Sequence, residues 1–181
     1  MLAAVDHDAN VIGAAVVALG DRLRDAVEAA AGRGGAQPAA LAALHEWAGG
    51  RTIDTLAGGL RLSHSRTVRV VDRLAQDGLA RRAPDPADGR GVLVELTPAG
   101  ERAGAAVLAA RAAALEQALI ALAPSERAAL ARLAETLLGG ATTGRRAARA
   151  ICRLCDAHAC GHYDGRCPVT RAADAAEHKG V

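Results

Sequence analysis

A mainly α-helical fold is what the sequence predicts, on three observations. The first is the apolar supply. Phe is absent, Trp47, Tyr163 and Met1 are each the single residue of their type, and 51% of the chain is hydrophobic. Ala, Leu and Val must therefore fill the interior. Ala is the best helix former, whereas sheets favour aromatic and β-branched side chains. The second is long stretches of apolar residues at helical spacing. The third is that one short region alone switches to a strand period. A length of 181 residues suffices for one domain and a short appendage.

Residues 8–31 read as one amphipathic helix, with Val11, Ile12, Ala15, Val16, Leu19, Leu23 and Val27 on its stripe. Gly32, Gly34 and Gly35 stop it. Pro38 suits a first helical turn, and a second helix runs to Trp47 before Gly49 and Gly50. Thr52 caps a third helix, Ile53 to Leu60, and Ser63 caps a fourth, His64 to Asp77, closed by Gly78. The connection Arg61-Leu62-Ser63 is short enough to make a helix-turn-helix. Residues 79–83 and 92–96 then read as two strands. The turn formers from Pro84 to Gly91 lie between them, giving a hairpin with a long tip. Thr97-Pro98 restarts a long helix to about Ala121, and Pro124-Ser125-Glu126 opens another that ends near Gly139-Gly140. Residues 139–144 read as a linker, a last short helix starts at Arg145, and the tail beyond Cys167 reads as polar and frayed.

At about 100° per residue, Ser65, Arg66, Arg69, Asp72, Arg73 and Gln76 share one face of the fourth helix, and Thr67, Val70, Val71 and Leu74 the opposite one. Such a face suits a recognition helix in a major groove. Any solvated helix also carries a charged face. What separates the two is the order of elements: short helix, tight turn, polar-faced helix, Arg-bearing hairpin. The candidate DNA contacts are Ser63, His64, Ser65, Arg66, Arg69 and Arg73, joined by Arg90 at the hairpin tip. Arg suits phosphate and guanine because its planar fork makes paired hydrogen bonds. Arg90 can enter a minor groove, with Asp88 either holding it by an ion pair or acting as a turn residue.

The run Leu62-Ser63-His64-Ser65-Arg66-Thr67-Val68-Arg69-Val70-Val71-Asp72-Arg73-Leu74, followed by Gly78-Leu79, resembles the recognition helix of the MarR family. Asp85-Pro86-Ala87-Asp88-Gly89-Arg90, with Leu96-Thr97-Pro98-Ala99-Gly100 after it, resembles that family's wing and the start of its long helix. The likeness covers about residues 8–140. It implies a winged helix-turn-helix with a small β-hairpin wing and long dimerisation helices, here 8–31, 97–121 and 125–139. It also implies a homodimer, a repressor, and double-stranded DNA with a pseudo-palindromic operator as partner. One departure is the scarcity of aromatics, which usually help line the family's ligand pocket.

The division expected is a DNA-binding and dimerisation domain over residues 1–140 and a Cys-rich extension over 141–181. All four cysteines fall in that extension: Cys152-x2-Cys155-x4-Cys160-x6-Cys167-Pro168. In a reducing cytosol such clustering favours metal or redox chemistry over a structural disulfide. An iron–sulfur cluster tolerates irregular spacing and a closing Cys-Pro. Zinc, the alternative, more often uses two Cys-x2-Cys knuckles, and one is present. His158 or His162 can replace one thiol, and Arg145, Arg146, Arg149 and Arg153 flank the site. Three functions follow: a metal- or redox-responsive regulator, a regulator with purely structural zinc, and a redox or electron-transfer protein. No phosphate-binding Gly-rich loop or nucleophile elbow is present, so an enzyme is not expected. Val11 to Leu19 is too short to span a bilayer, and acidic Asp6 and Asp8 precede it. The expected location is the cytoplasm, with no membrane partner.

Overall fold

The computed structural model describes residues 6–87 and 91–178. Eight α-helices and three short strands occupy them: α1 His7–Ala31, α2 Gln37–Ala43, β1 Arg51–Thr52, α3 Ile53–Leu60, α4 His64–Gln76, β2 Ala80–Pro84, β3 Val92–Leu96, α5 Pro98–Leu119, α6 Pro124–Ala141, α7 Arg145–Ile151 and α8 Pro168–His178. A π-helical turn, Leu44–Ala48, extends α2 through Trp47, and a 3-10 turn, Cys152–Leu154, follows α7. Among these residues no helix is long and apolar enough to cross a membrane.

The start signals work as the sequence reading expects. Thr52 Oγ1 accepts from the Thr55 amide (3.4 Å), Ser63 Oγ from Arg66 (3.4 Å) and Thr97 Oγ1 from Gly100 (3.1 Å). Each satisfies an amide that a helix start leaves without a partner. The sheet is antiparallel in the order β1-β3-β2, with Arg82 opposite Val94 and Thr52 opposite Leu93. β1 is an addition to the predicted hairpin. Two residues are too few to show a strand period, and β1 exists because β3 offers it a ladder.

One core joins α1–α5 to the sheet. Leu41, Leu56, Val71, Leu74, Val94 and Val107 are among its fully buried side chains. α5 packs along α1 and across α2, while α3 and α4 cross beneath them. α6 contributes nothing to that core: it has no buried residue, and Leu130, Leu133 and Leu137 face solvent. On α1, Val11, Ile12, Val16 and Val17 are exposed as well.

Two expectations need correction. Gly139 and Gly140 are not linker but the last turn of α6, which continues to Ala141. Glycine costs a helix about 1 kcal/mol each. Here Thr142 offsets it: its amide bonds Gly139 O (3.3 Å), its hydroxyl bonds Leu138 O (2.7 Å), and α8 packs on α6. The tail beyond Cys167 is not frayed either. It forms α8, which buries Val169 and Ala173, four residues apart on one face. Two of its acidic groups, Asp174 and Glu177, bridge to Arg145 of α7. The extension thus packs back on the rest of the chain, α7 against α3 and α8 against α6 and α7.

Candidate nucleic-acid interface and cysteine site

α4 has the two faces that its sequence requires. Thr67, Val71 and Leu74 are buried, and the Thr67 hydroxyl is satisfied by Ser63 O (3.0 Å). Ser63, His64, Ser65, Arg66, Arg69 and Arg73 are all exposed, so the structure brings these six together on one surface. Arg66, Arg69 and Arg73 form no ion pair among the described residues. Two neighbours on that face are engaged. His64 Nδ1 meets Asp54 of α3 at 2.7 Å, and Asp72 meets Arg82 of β2 at 2.8 Å. The first holds the start of α4 against α3, and the second ties α4 to the hairpin. Asp88 and Arg90 lie outside the described residues. The strands that would carry them are in place, closed by the Asp85 amide on Gly91 O (3.0 Å).

The four cysteines come together. All are free thiols, and all line one cavity of about 410 Å³ between the extension and the Leu44–Ala48 turn. Cys152 stands beside Cys155 and Cys160 beside Cys167, and the Cys160 thiol donates to the Ala157 carbonyl (3.5 Å). Each pair is split. The adjoining Cys155 thiol pushes the Cys152 thiol far up. The adjoining Cys152 thiol, helped by the positive charge of Arg111, brings Cys155 down to about 6. Burial and the neighbouring Cys167 raise Cys160 to about 11. For Cys167 burial pushes upward, but the Thr170 hydroxyl and the Thr170 and Val169 amides at the start of α8 outweigh it and lower its pKa. A thiolate at a helix N-terminus is favoured by its free N–H groups. Among the described residues, no three Cys, His, Asp or Glu side chains close on a point as ligands of one ion would.

Three neighbours of the cavity were not singled out in the sequence. Trp47 lines it, and its indole Nε1 is buried without a hydrogen-bond partner. Glu46 holds the cysteine loop by accepting from the Ala157 amide (2.8 Å). Arg111 of α5 acts on Cys155 through its positive charge. They are distant in sequence from the cysteines, and only the return of the extension onto the core brings them near. Of the predicted histidines, His162 lines the cavity and meets Thr170 Oγ1 (2.9 Å), whereas His158 packs on Tyr163 (ring centroids 4.7 Å apart). Of the flanking arginines, Arg145 is committed to α8 and Arg149 lines the cavity.

In metal-free protein, alkylation of Cys155 is expected to follow a titration with its midpoint at about 6. Below it the thiol is protonated and unreactive; above it the thiolate attacks. Mass spectrometry of iodoacetamide-treated protein across pH checks this. A midpoint at the ordinary thiol value of about 8.5 would show that its neighbours do not favour its thiolate.

A family model described as the MarR family matches residues 31–91. The crystal structure of a probable transcriptional regulator from Pseudomonas aeruginosa superimposes with a TM-score of 0.55 at 34% identity, covering 70% of this chain and 96% of that one. The chain belongs to the MarR family. A MarR-family protein from Bacillus stearothermophilus is similar with a TM-score of 0.62 at 26% identity, over 71% of this chain and 88% of that one. Over 54 residues the chain is 43% identical to the uncharacterized HTH-type transcriptional regulator YsmB of Bacillus subtilis (strain 168). That stretch spans 30% of this chain and 37% of the relative's length. MarR-family proteins are transcription regulators, not enzymes. The MarR-family match ends well before the cysteines.

Proposed function

We propose that this chain is a homodimeric, DNA-binding repressor that reads a pseudo-palindromic operator through α4. Its four cysteines hold an iron–sulfur cluster whose occupancy or oxidation state sets DNA affinity. The observation that carries the DNA reading is the outward face of α4, where three exposed arginines without carboxylate partners sit above the buried Thr67, Val71 and Leu74. The apolar surface of α1 and α6 supports the dimer. Val16 is 65% and Leu137 70% exposed, and a surface of this kind needs a partner. Two such chains related by a two-fold axis present two recognition helices to successive major grooves. If Arg69 contacts a base, Arg69→Ala weakens specific binding by about 1–3 kcal/mol. Unchanged affinity for a selected operator removes Arg69 from the interface.

For the cysteines, the donor set favours a thiolate-ligated group, and the unpartnered indole N–H beside them suits a sulfide or thiolate acceptor. The four thiols line one cavity, and an iron–sulfur cluster takes four cysteine ligands at irregular spacing. When bound, the cluster supplies a redox-sensitive centre. The chain's part is to hold it between Trp47 and α8 and to transmit its state through α7. A shift of equilibrium requires that the two states differ in affinity for DNA. The deciding experiment is a visible spectrum with iron, sulfide and zinc analysis on protein purified without oxygen. A brown protein containing iron and sulfide supports the cluster. A colourless one with one zinc per chain replaces it with the second reading, a structural zinc to which the one Cys-x2-Cys knuckle would supply two ligands.

A further inference from the structure

A second cavity, of about 800 Å³, lies between the helix-turn-helix and the extension. The family likeness does not account for it, because one wall is α7. Arg61 and Ser63 of the turn between α3 and α4 form the other wall, facing Arg146 and Arg153. No Asp or Glu is among its lining residues, and none of the three arginines forms an ion pair among the described residues. Other arginines of this chain do find carboxylates: Arg82, Arg127 and Arg145 are paired. Arg153 donates to the Ala150 carbonyl, but no carboxylate offsets the three guanidiniums, and the positive field they make favours an anion.

The backbone supplies a second observation. Arg61 is the only non-glycine residue with positive φ (55°) among those described. A left-handed residue ending a helix is ordinarily glycine. An arginine there places a cation at the mouth of the cavity where the chain would fold more easily without it. The recognition helix also starts here: its cap, Ser63, lines the cavity.

We propose that this cavity is a phosphate-binding site for the DNA backbone, and that Arg146 and Arg153 of the extension extend the protein–DNA interface beyond the winged helix. The inference rests on the DNA-binding reading above. The occupant is the strand flanking the groove that α4 enters, because the cavity is lined by the turn that leads into α4, up to its cap Ser63. Guanidinium forks match phosphate oxygens, and contacts of this kind add affinity without sequence preference. Because Cys152 directly follows α7, the cysteine site and the two arginines sit on one continuous segment.

The test is a salt titration of binding, with operator and with unrelated duplex, for wild type, Arg146→Ala, and Arg146→Ala combined with Arg153→Ala. Arg146 is exposed, so the single variant tests the site even where the double variant folds poorly. Each lost phosphate contact is expected to lower the slope of log K against log salt by about one, and to weaken both duplexes alike, by roughly three- to tenfold. Arg146→Lys is expected to restore the slope. An unchanged slope and affinity overturn the proposal. So does a loss confined to the operator, which points to a base-reading or structural role. Displacement of DNA by micromolar inorganic phosphate or pyrophosphate also overturns it, and assigns the cavity to a small anion. If wild type binds neither duplex, the DNA-binding reading itself fails. If wild type binds, Arg69→Ala weakens it and the Arg146 variants do not, only the present inference fails.

Discussion

Gly100→Ala is expected to cost about 3 kcal/mol of stability, the upper end of what overpacking a buried site costs. Gly100 is buried near the start of α5, where the long helix leaves the hairpin. A Cβ there would lie 1.9 Å from the Leu79 carbonyl oxygen and 3.0 Å from Leu96 Cδ2. The first contact is with backbone, so no side-chain rotation relieves it. The same carbonyl accepts from the Thr97 amide (3.0 Å), and the Thr97 hydroxyl donates to Gly78 O (2.6 Å). Moving α5 away to admit a methyl group therefore breaks the hydrogen bonds that join the end of α4, the base of the hairpin and the long helix. Urea unfolding at fixed protein concentration measures the loss. Gly58→Ala in α3 is the control. Nothing lies within 4 Å of a Cβ there, and the change is expected to stabilise by about 0.5–1 kcal/mol. A Gly100→Ala protein within about 0.5 kcal/mol of wild type would mean that α5 is not locked to the hairpin.

The same junction shows what a sequence can and cannot tell. Leu96-Thr97-Pro98-Ala99-Gly100 was readable as a strand exit and helix start from the cap and the proline alone. The need for glycine was not readable, because it comes from Leu79, a residue 21 positions earlier brought near by the hairpin. The outward face of α4 was legible because it depends on helical period only. Its exposed arginines and buried Thr67 and Leu74 follow from spacing. The pairing of His64 with Asp54 was not legible, since it depends on how α3 crosses α4. In the extension the cysteine spacing announced a site, but not its walls. Trp47 and Glu46 line it only because the extension returns onto α2 and the turn after it. Gly59 of α3 makes room for Trp47 there, since a Cβ would fall 2.5 Å from its ring. The tail departs from its sequence pattern for a related reason. Asp174 and Glu177 look like solvating charge until Arg145 is placed beside them, after which Val169 and Ala173 stand out as one buried stripe.

The largest functional effect is expected at the thiols. Metal-free protein titrated with Zn²⁺, a probe that takes thiolates without redox chemistry, is expected to bind it and to release about two to three protons per site near neutral pH. Four ordinary thiols would release about four, since a free thiol is nearly all protonated there. The difference comes from the paired arrangement. Cys155, at about 6, is already a thiolate at pH 7, and Cys167 is lowered by the amides of α8. Cys152 and Cys160 are raised and must each give up a proton to become ligands. The sign follows. Affinity rises with pH, by about tenfold per pH unit for each proton released, and is lost in acid as Cys155 is protonated through about 6. A pH-indicator dye in weakly buffered solution counts the protons. Cys155→Ser is expected to abolish stoichiometric uptake, because it removes the ligand with the pKa of about 6, already ionised near neutral pH. Release of four protons would mean that the thiol pairs are not split. Failure to bind any thiophilic metal, together with a purified protein free of iron, sulfide and zinc, would leave the cavity a redox dithiol pocket. Oxidation to disulfides within the pairs Cys152–Cys155 and Cys160–Cys167 would then be the switch to test, and the position of α7 against α3 its readout.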